Sequence, residues 1–281
     1  MTDRIHFADN LDILRGLPDG SVDLIYIDPP FNTGRMQRRT RLRTVRDPDG
    51  DRTGFGGQRY ASAVLGRAAF ADAFDDYLAF LEPRLVEAHR VLAPHGSLYL
   101  HLDPRESHGC KLLLDTIFGR AAFVNEIVWA YDYGGRPRDR WPAKHDTIFL
   151  YARTPGRHLF NRAAIDRIPY MAPGLVGPEK AARGKLPTDV WWHTIVPTHG
   201  AERTGYPTQK PLGILRRIIA ASSLPGGLVL DFFAGSGTTG VAAREAGRRF
   251  ILVDNNPDAM TAMTRRFAGM AGVTVVGWPG G

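Results

Sequence analysis

Short runs of apolar and β-branched residues recur along the chain and stop at proline, glycine or aspartate. Five of these runs have the length of strands: residues 24–27, 97–102, 147–151, 228–230 and 250–253. A continuous apolar run of this length between turn-forming residues predicts a strand that is buried on both faces. The first run stops at Asp28-Pro29-Pro30, and the fourth stops at Asp231, just before a glycine-rich segment.

Leucine, isoleucine and alanine repeat at helical spacing between these runs. The first series is Leu78, Leu81, Leu85, Ala88 and Leu92, and the second is Leu212, Leu215, Ile218 and Ile219. Pro83 lies inside the first series, where we expect it to begin a new helix or to kink the existing one. Buried strands that alternate with amphipathic helices predict an α/β fold with a doubly wound, mostly parallel sheet, which binds ligands at the carboxyl ends of its strands.

Two stretches lack this alternation, and we interpret them as insertions in a single domain of residues 1–281. Residues 34–72 carry a run of arginines and a Gly/Asp-rich turn region without sustained apolar periodicity, which predicts a basic loop that can be disordered without a partner. Residues 154–205 are rich in Pro, Gly and basic residues and predict a small irregular insertion. At least one of Trp191 and Trp192 in this insertion is expected to pack in the core.

Composition narrows the classes of function. The hydrophobic fraction is 43%, and no apolar run reaches the roughly 18 residues of a membrane span. The net charge of +7 favours a polyanionic partner, although 31 arginines among the 36 basic residues equally fit a GC-rich genome. A single cysteine, Cys110, excludes an intrachain disulfide and a Cys-rich metal site. Because residues 1–4 do not look like a signal peptide, we expect a cytoplasmic protein.

The segment after Asp231 has the composition of a ligand-binding loop. Gly235, Gly237 and Gly240 match the glycine spacing of dinucleotide-binding loops, and Asp254 follows Gly235 by 19 residues. Taken alone, this loop fits an adenine nucleotide, S-adenosylmethionine or a purely structural turn. An NAD-dependent oxidoreductase is therefore one candidate function.

Two observations favour S-adenosylmethionine for this loop. Only 50 residues follow Asp231, too few to complete a doubly wound sheet, so the remaining strands must come from upstream. Such a permuted order is unusual for dinucleotide dehydrogenases. In addition, the carboxylate of Asp231 suits a ligand that carries an ammonium group, whereas it would repel a pyrophosphate.

Asp28-Pro29-Pro30-Phe31 suits chemistry on an amino group of a nucleic-acid base. Such a nitrogen is a poor nucleophile because its lone pair is delocalised into the ring. A carboxylate and a rigid backbone carbonyl that accept both N–H bonds draw the nitrogen toward a tetrahedral geometry, and prolines hold that carbonyl without adding a donor. Phe31 would stack on a base that has left the helix. The alternative is that Asp-Pro-Pro only ends a strand.

Three motifs occur in an order that resembles the β group of DNA amino-methyltransferases. They are Asp28-Pro29-Pro30-Phe31-Asn32-Thr33-Gly34, Gln209-Lys210-Pro211 and residues 231–239, and residues 96–103 and 145–151 are similar to core strands of that family. The match covers most of residues 4–33, 73–153 and 206–260 and leaves both insertions unexplained. The resemblance implies a circularly permuted, Rossmann-like methyltransferase fold. It also implies methyl transfer from S-adenosylmethionine, with S-adenosylhomocysteine as product, to the amino group of a flipped base in double-stranded DNA.

The resemblance implies the site residues as well. The expected catalytic residues are Asp28, Pro29, Pro30 and Phe31. The expected cofactor-binding residues are Asp9, Lys210, Asp231, Phe232, Phe233, Gly235, Ser236, Gly237, Thr238 and Asp254. By the same resemblance, Asp9 lies near the adenine of the cofactor, Lys210 near its carboxylate, Asp231 at its amino group and Asp254 at its ribose.

No metal is expected. His101 and His108, with Asp103 and Glu106 between them, have a spacing that suggests metal ligands, but the family match makes His101 and Asp103 the end of a core strand.

DNA contacts are expected from both insertions. Residues expected to contact phosphates are Arg35, Arg38, Arg39, Arg41, Arg43 and Arg46. Residues 154–205 are expected to read the recognition sequence, and the candidates for base edges are Arg162, Arg167, Arg183 and Arg203. Asp28 favours adenine N6 over cytosine N4, because the family uses Asp more often for adenine and Ser more often for cytosine.

Several alternatives stay open at this point. They are a cytosine-N4 DNA methyltransferase, a non-catalytic DNA-binding relative, an NAD-dependent oxidoreductase and an RNA methyltransferase. The intact Asp28-Pro29-Pro30-Phe31 motif and the full glycine loop argue against the non-catalytic relative. The family further implies a homodimer, a cognate restriction endonuclease in a restriction-modification system and a nucleoid-associated location in a prokaryote, with no membrane partner.

Overall fold

The computed structural model describes residues 3–30, 32, 35–46, 49, 52–53, 59–72, 74, 76–197 and 199–279. The chain groups into two compact units, which are Met1–Pro29 with Leu78–Gly281 and, separately, Pro30–Tyr77. No helix among the described residues is long and apolar enough to cross a membrane.

The described helices and strands follow one another in chain order. They are β1 (Asp3–Phe7), α1 (Asn10–Gly16), β2 (Val22–Ile27), β3 (Arg35–Arg46), β4 (Arg52–Thr53), β5 (Arg59–Asp72), α2 (Tyr77–Val91), β6 (Leu92–Leu102), α3 (Ser107–Phe118), β7 (Phe123–Ala130), β8 (His145–Ala152), α4 (Pro178–Arg183), β9 (Val190–Trp192), α5 (Leu212–Ser222), β10 (Leu228–Asp231), α6 (Thr238–Glu245), β11 (Arg249–Asp254), α7 (Pro257–Arg266) and β12 (Val273–Val276). Two 3₁₀ turns, Arg120–Ala122 and Pro173–Leu175, complete the set in the described part of the chain.

The larger unit is built on a nine-stranded sheet in the order β12-β1-β11-β10-β2-β6-β8-β7-β9, as far as the described residues show. The six strands from β12 to β6 run parallel to one another. Strand β8 is antiparallel to β6 and to β7, and β9 is parallel to β7. Strands β10 and β11, from the last quarter of the chain, therefore lie between β1 and β2, which is the permuted order that the motifs predict.

The sheet is covered on both faces. Leu24 and Tyr26 of β2 belong to the same buried cluster as the apolar side of α5, which presents Ile214 and Ile218. Side chains alternate across a strand, so Ile25 and Ile27 face the other side, and they are equally buried. Burial on both faces explains why the central strands are continuous apolar runs.

The five predicted strands and the predicted fold class are confirmed, and the described sheet also contains β1, β7, β9 and β12, which were not predicted. Strand β7 was not predicted because Asn125 and Glu126 interrupt its apolar pattern. Pro83 neither begins nor ends a helix, since α2 continues through it from Tyr77 to Val91. Leu81 and Leu85, which flank Pro83, are completely buried, and their packing offsets the hydrogen bond that proline removes.

The smaller unit has strands where the sequence pattern predicts a loop. Strand β3 pairs antiparallel with β5 from Arg35↔Asp72 to Arg46↔Tyr60, and β4 pairs with the start of β5. From residue 39 to 44, arginine alternates with Thr40, Leu42 and Thr44, and this alternation is typical of a strand. The alternation is masked in a hydropathy pattern because arginine and threonine are both polar.

Residues 154–205 are only partly an independent insertion. Most of the segment is irregular, with α4 and a bridge between Ile168 and Lys185, but β9 pairs with β7 and so belongs to the main sheet. Trp191 on β9 is buried, which confirms the expectation of core packing for one of the two tryptophans. Trp192 is 79% exposed.

Candidate active site

The carboxyl ends of the parallel strands bring the predicted site residues to one edge of the sheet, which we call the carboxyl edge. Asp9 follows β1, Asp28 follows β2, Asp231 ends β10 and Asp254 ends β11. These four strands are neighbours in the order β1-β11-β10-β2. The four carboxylates, which are far apart in sequence, therefore lie along one line at this edge.

Asp28 has one oxygen in an ion pair and one oxygen without a partner. Its Oδ2 lies 2.6 Å from Nζ of Lys210, and the two side chains are only 16% and 9% exposed. Its Oδ1 is buried and accepts no hydrogen bond from any described residue. Such an oxygen is costly to bury unless a ligand donates to it. The prediction for Lys210 named the cofactor carboxylate, whereas the structure places its ammonium group on Asp28.

The other three predicted catalytic residues directly follow Asp28. Pro29 is buried, and neither Pro29 nor Pro30 has a backbone N–H that competes for an acceptor at this position. Phe31 lies outside the described residues, so its predicted stacking role stays a prediction.

A buried chain of polar side chains lies behind Asp28, and we call it the polar chain. Oη of Tyr26 lies 2.7 Å from Nδ1 of His101, and Nε2 of His101 lies 3.1 Å from Oδ2 of Asp146. The hydroxyl of Tyr131 donates to Oδ1 of Asp146 at 2.9 Å. His101 is therefore satisfied by a phenol and a carboxylate, and among the described residues no group of three His, Cys, Asp or Glu side chains forms a metal site.

Charged groups at the carboxyl edge shift the pKa values of residues in the polar chain. Burial, and then the nearby charges of Asp28, Asp231 and Asp146, raise the pKa of Tyr26 well above its ordinary value. Burial also acts to raise the pKa of Asp146, but the hydrogen bond and charge of His101 and the charge of Lys210 outweigh it and lower that pKa. Lys210 is thus close enough to interact with both Asp28 and Asp146. The sequence pattern could not reveal these contacts, because they join four strands or loops.

Asp231 anchors the glycine loop. Its Oδ1 accepts a hydrogen bond from the backbone N–H of Phe233 at 3.0 Å, and its Oδ2 accepts one from Oγ1 of Thr239 at 2.5 Å. Burial raises the pKa of Asp231 to about 7 in spite of these bonds, and the charges of Asp28 and Asp254 act in the same direction.

Asp254 anchors the same loop from the next strand. It accepts hydrogen bonds from the backbone N–H groups of Gly235 and Asn256, both at 2.8 Å. Burial raises the pKa of Asp254 as well.

Each of the three glycines of the loop leaves room for a different neighbouring side chain. A Cβ on Gly237 would lie 2.8 Å from the ring of Phe267, and a Cβ on Gly240 would lie 2.7 Å from Cδ1 of Leu252. These two glycines let α6 approach β11 and the end of α7. Gly235 has φ of +51° and lies under the ring of Tyr206, since a Cβ there would be 3.2 Å from that ring. Of the three, Gly235 is the one that faces the segment leading to Lys210.

The remaining loop residues are held by arginine. Nη1 of Arg266 on α7 donates to the backbone oxygen of Ser236 at 3.1 Å and to Oγ1 of Thr238 at 3.0 Å. Phe232 is completely buried, while Phe233 is partly exposed and lies against Phe80 with ring centroids 6.1 Å apart. The side chain of Phe232 therefore faces the core.

Asp9 is joined to the glycine loop through Asn10. The side chain of Asn10 donates to the backbone oxygen of Phe232 at 2.8 Å, and Arg84 donates to Asn10 at 2.6 Å. Asp9 itself accepts a hydrogen bond from the backbone N–H of Leu11 as the N-cap of α1, and its Oδ2 lies 3.3 Å from Arg84. Arg84, Asn10 and Arg266 were not predicted, because isolated polar residues on helices carry no local signal of such contacts.

The edge has the charge that S-adenosylmethionine requires. Asp231 is buried and Asp254 is partly buried. Burial raises the pKa of both carboxyl groups, and positive charge nearby would stabilise their ionised forms. A ligand with a sulfonium and an ammonium group supplies this charge, and one with a pyrophosphate adds repulsion. The residues present therefore fit S-adenosylmethionine.

The predicted DNA-contacting arginines fall at different places. Arg162, Arg167, Arg183 and Arg203 are all exposed. Arg162 lies at the opposite edge of the sheet, because Leu159 bonds to His95 near the start of β6 and Asn161 bonds to Ala221 at the end of α5. Arg203 lies at the carboxyl edge, beside Glu202, whose carboxylate accepts the backbone N–H of Leu212 at the start of α5.

Arg35, Arg38, Arg39, Arg41 and Arg43 lie on β3 in the smaller unit. The structure describes the backbone of this strand, so the orientation of their side chains is outside the described part.

Comparisons with known proteins identify the family of the chain. The N6_N4_Mtase family of DNA methylases matches residues 22–265. DNA adenine methyltransferase YhdJ of Escherichia coli strain K12 is 31% identical over 272 residues, which cover 92% of this chain and 80% of that protein. Type II methyltransferase M.HpaI of Haemophilus parainfluenzae is 30% identical over 259 residues, which cover 92% of this chain and 72% of that protein.

Solved structures show the same fold. The M1.HpyAVI-SAM complex aligns with a TM-score of 0.59 at 20% identity and covers 94% of this chain and 98% of that chain. With the permuted sheet, the glycine loop and the Asp28 motif at one edge, the family match over most of the chain leads to one conclusion. The chain belongs to the N6_N4_Mtase family of DNA methylases and is an S-adenosylmethionine-dependent DNA amino-methyltransferase.

Proposed function

We propose that the chain methylates the exocyclic amino group of a base flipped out of double-stranded DNA, with adenine N6 as the target, and that Asp28 holds this amine. The observation that carries the proposal is the asymmetry of Asp28, whose Oδ2 is fixed by Lys210 while Oδ1 is buried without a partner. An acceptor that is already oriented accepts one N–H of the amine without reorganising. The backbone carbonyl in the proline pair accepts the other.

S-adenosylmethionine, when bound, supplies an electrophilic methyl group and its own leaving group. The residues of this chain do the rest. Asp231 and Asp254 attract the positive charge of the cofactor, and the glycine loop, anchored by both, positions it at the carboxyl edge. Asp28 orients the amine for in-line attack and accepts its proton late, because the nitrogen becomes acidic only as the new bond forms. Lys210 keeps Asp28 oriented.

Adenine is preferred on two grounds. The motif begins with Asp28, which the family uses more often for adenine, and YhdJ, one of the relatives, is a DNA adenine methyltransferase. Cytosine N4 is the second candidate, because either amine offers two N–H donors to the same acceptors.

The arginines of β3 and the exposed Arg203 are proposed to contact DNA. M.HpaI is a type II methyltransferase, and on that ground we include a cognate restriction endonuclease as a partner of this chain. We also propose that the chain forms a homodimer, which sedimentation of the purified protein tests. Its proposed location is the cytoplasm.

The first experiment identifies the product. Purified protein is incubated with methyl-labelled S-adenosylmethionine and DNA that lacks endogenous methylation, and the nucleosides are analysed by mass spectrometry. Label in N6-methyldeoxyadenosine supports the proposal, and label in N4-methyldeoxycytidine corrects the base. No label, with cofactor and DNA binding intact, would indicate a non-catalytic DNA-binding protein.

Two variants separate the roles of Asp28 and Lys210. Asp28→Ala should abolish transfer and leave the Kd for the cofactor within about threefold, because the carboxylate faces the amine. Lys210→Met should lower kcat by roughly 100-fold, since the acceptor is no longer oriented, and should likewise leave the cofactor Kd nearly unchanged. A Kd that rises more than about tenfold in Lys210→Met would assign Lys210 to the cofactor carboxylate instead.

A further inference from the structure

Residues 131–144 form a loop at the carboxyl edge that the sequence motifs leave without a role. The loop joins β7 to β8. Strands β6 and β7 are both antiparallel to β8, so they run in the same direction. The loop therefore leaves β7 at the same edge of the sheet at which Asp28 follows β2.

The tip of this loop is cationic and highly exposed. Arg136, Arg138 and Arg140 are all exposed, and their acidic neighbours are Asp132 and Asp139. Arg136 lies 3.9 Å from Asp132 with both side chains about three quarters exposed, and Arg140 lies 2.7 Å from Asp139 with similar exposure. Ion pairs this exposed contribute little, so the guanidinium groups are available to a phosphate.

An aromatic residue stands at the end of this cationic run. Trp141 is 95% exposed, which makes it the most exposed large aromatic side chain in the described part of the chain, and it directly follows Arg140. An exposed indole lacks the stabilisation that burial of its large apolar surface would provide. Cationic groups next to an exposed aromatic ring are the combination that binds a nucleic-acid strand, through phosphates and base stacking.

The base of the loop is held in place. The backbone N–H of Tyr131 donates to the oxygen of Lys144 at 2.9 Å. Nζ of Lys144 donates to the backbone oxygens of Tyr133 and Gly134 at 2.8 and 2.7 Å. Tyr131 also donates to Asp146 of the polar chain, so the loop is anchored beside the residues that surround Asp28.

We infer that residues 136–141 are a DNA-contacting element, in which the three arginines bind phosphates and Trp141 packs against the bases unstacked when the target base is flipped. The inference rests on the proposed function, because only a flipped base leaves a gap next to Asp28. A base that leaves the helix exposes the faces of its neighbours and of its former partner. An apolar side chain inserted there keeps the gap from closing. Trp141 is large and exposed, and it belongs to the loop that leaves the sheet at the edge where Asp28 lies.

Three variants test the inference. Trp141→Ala should raise the Kd for a methylatable duplex by roughly tenfold or more, in line with the loss of one stacking contact, while Trp141→Phe retains most of the affinity. A duplex with 2-aminopurine at the target position should fluoresce less with Trp141→Ala than with wild type, because the flipped state is less populated. The triple variant Arg136→Gln, Arg138→Gln and Arg140→Gln should reduce the slope of log Kd against log salt by up to about three.

The control is Arg157→Gln. Arg157 is exposed like the loop arginines but follows the end of the antiparallel strand β8, so it lies at the opposite edge. Its duplex Kd and salt slope should equal those of wild type, and all variants should keep the wild-type cofactor affinity. If wild type methylates the duplex and both loop variants match it in Kd, salt slope and 2-aminopurine signal, the inference is wrong and the proposed function stands. If wild type neither methylates nor binds any duplex, the proposed function fails and the inference with it.

Discussion

At the scale of the residue, the buried carboxylate of Asp231 has a cost in stability. Its carboxylate is almost completely buried between two other carboxylates, and its pKa is raised to about 7. Above pH 7 the folded protein must hold this charge in a poorly solvated position, whereas the unfolded chain hydrates it freely. In the proposed function, the positive charge of the cofactor offsets this cost.

We expect Asp231→Asn to stabilise the ligand-free protein and to weaken cofactor binding by more than about tenfold. The amide keeps the shape and removes the charge. At pH 8 the free energy of unfolding should rise by about 2–4 kcal/mol, from a pKa shift of about three units at 1.36 kcal/mol each. Because the folded wild type takes up a proton as the pH falls through 7, the difference should shrink toward pH 4. Urea unfolding at both pH values checks this, and equal stability at pH 8 would show that the carboxylate is not strained.

Elements are placed by small residues that allow close approach. In the glycine loop, Gly237 and Gly240 serve the contact of α6 with β11 and with Phe267, and Gly235 alone faces the segment that leads to Lys210. A dinucleotide-type glycine pattern therefore includes glycines that serve helix packing, and the spacing by itself does not separate packing from binding.

Gly240→Ala should destabilise the protein without any ligand present. The new Cβ would lie 2.7 Å from Leu252 and 2.9 Å from Phe267, which forces α6 away from the sheet. Overpacking of this kind costs about 1–3 kcal/mol, more than the gain in helix propensity of roughly 1 kcal/mol. The matched control is Gly16→Ala at the end of α1, where no atom lies within 4 Å of the new Cβ. Thermal unfolding compares the two, and an unchanged Tm for Gly240→Ala would exclude the packing role.

Part of the element pattern could be predicted from sequence, and part could not. The central strands were predictable because burial on both faces gives an unbroken apolar run that stops at Asp28 or Asp231. Strand β9 was hidden in a segment rich in proline and glycine, since three residues are too few to show a period. Strands β3 and β5 were hidden because their pairing joins residues up to 37 positions apart, as in Arg35↔Asp72.

At the scale of the whole molecule, the net charge of +7 is spread over separate arginine groups. Counterion release makes each phosphate contact visible as a salt dependence of binding, with a slope of about 0.9 per contact. The contribution of the β3 arginines to the salt dependence of DNA binding can therefore be measured separately from that of the arginines on the 131–144 loop.

The triple variant Arg39→Gln, Arg41→Gln and Arg43→Gln should reduce the salt slope of duplex binding by up to about three and leave cofactor affinity within about threefold. The reason is that β3 belongs to the smaller unit, while the predicted cofactor residues belong to the larger one. Fluorescence anisotropy at roughly 50 to 300 mM salt measures the salt slope of duplex binding. Calorimetry measures the cofactor affinity. A slope equal to that of Arg157→Gln would remove β3 from the DNA interface.

The sequence by itself determined the order of the motifs, the central strands and the family, because these depend on local patterns of burial and turn-forming residues. Only the tertiary structure decided which side chains meet. Lys210 pairs with Asp28 across 182 positions of the chain, and Arg266 on α7 reaches Ser236 in the glycine loop. His101 links Tyr26 to Asp146 across three strands. Such contacts depend on the strand order, because it brings the carboxyl ends of distant strands to one edge of the sheet. The sequence around a single polar residue does not indicate which residue it will contact.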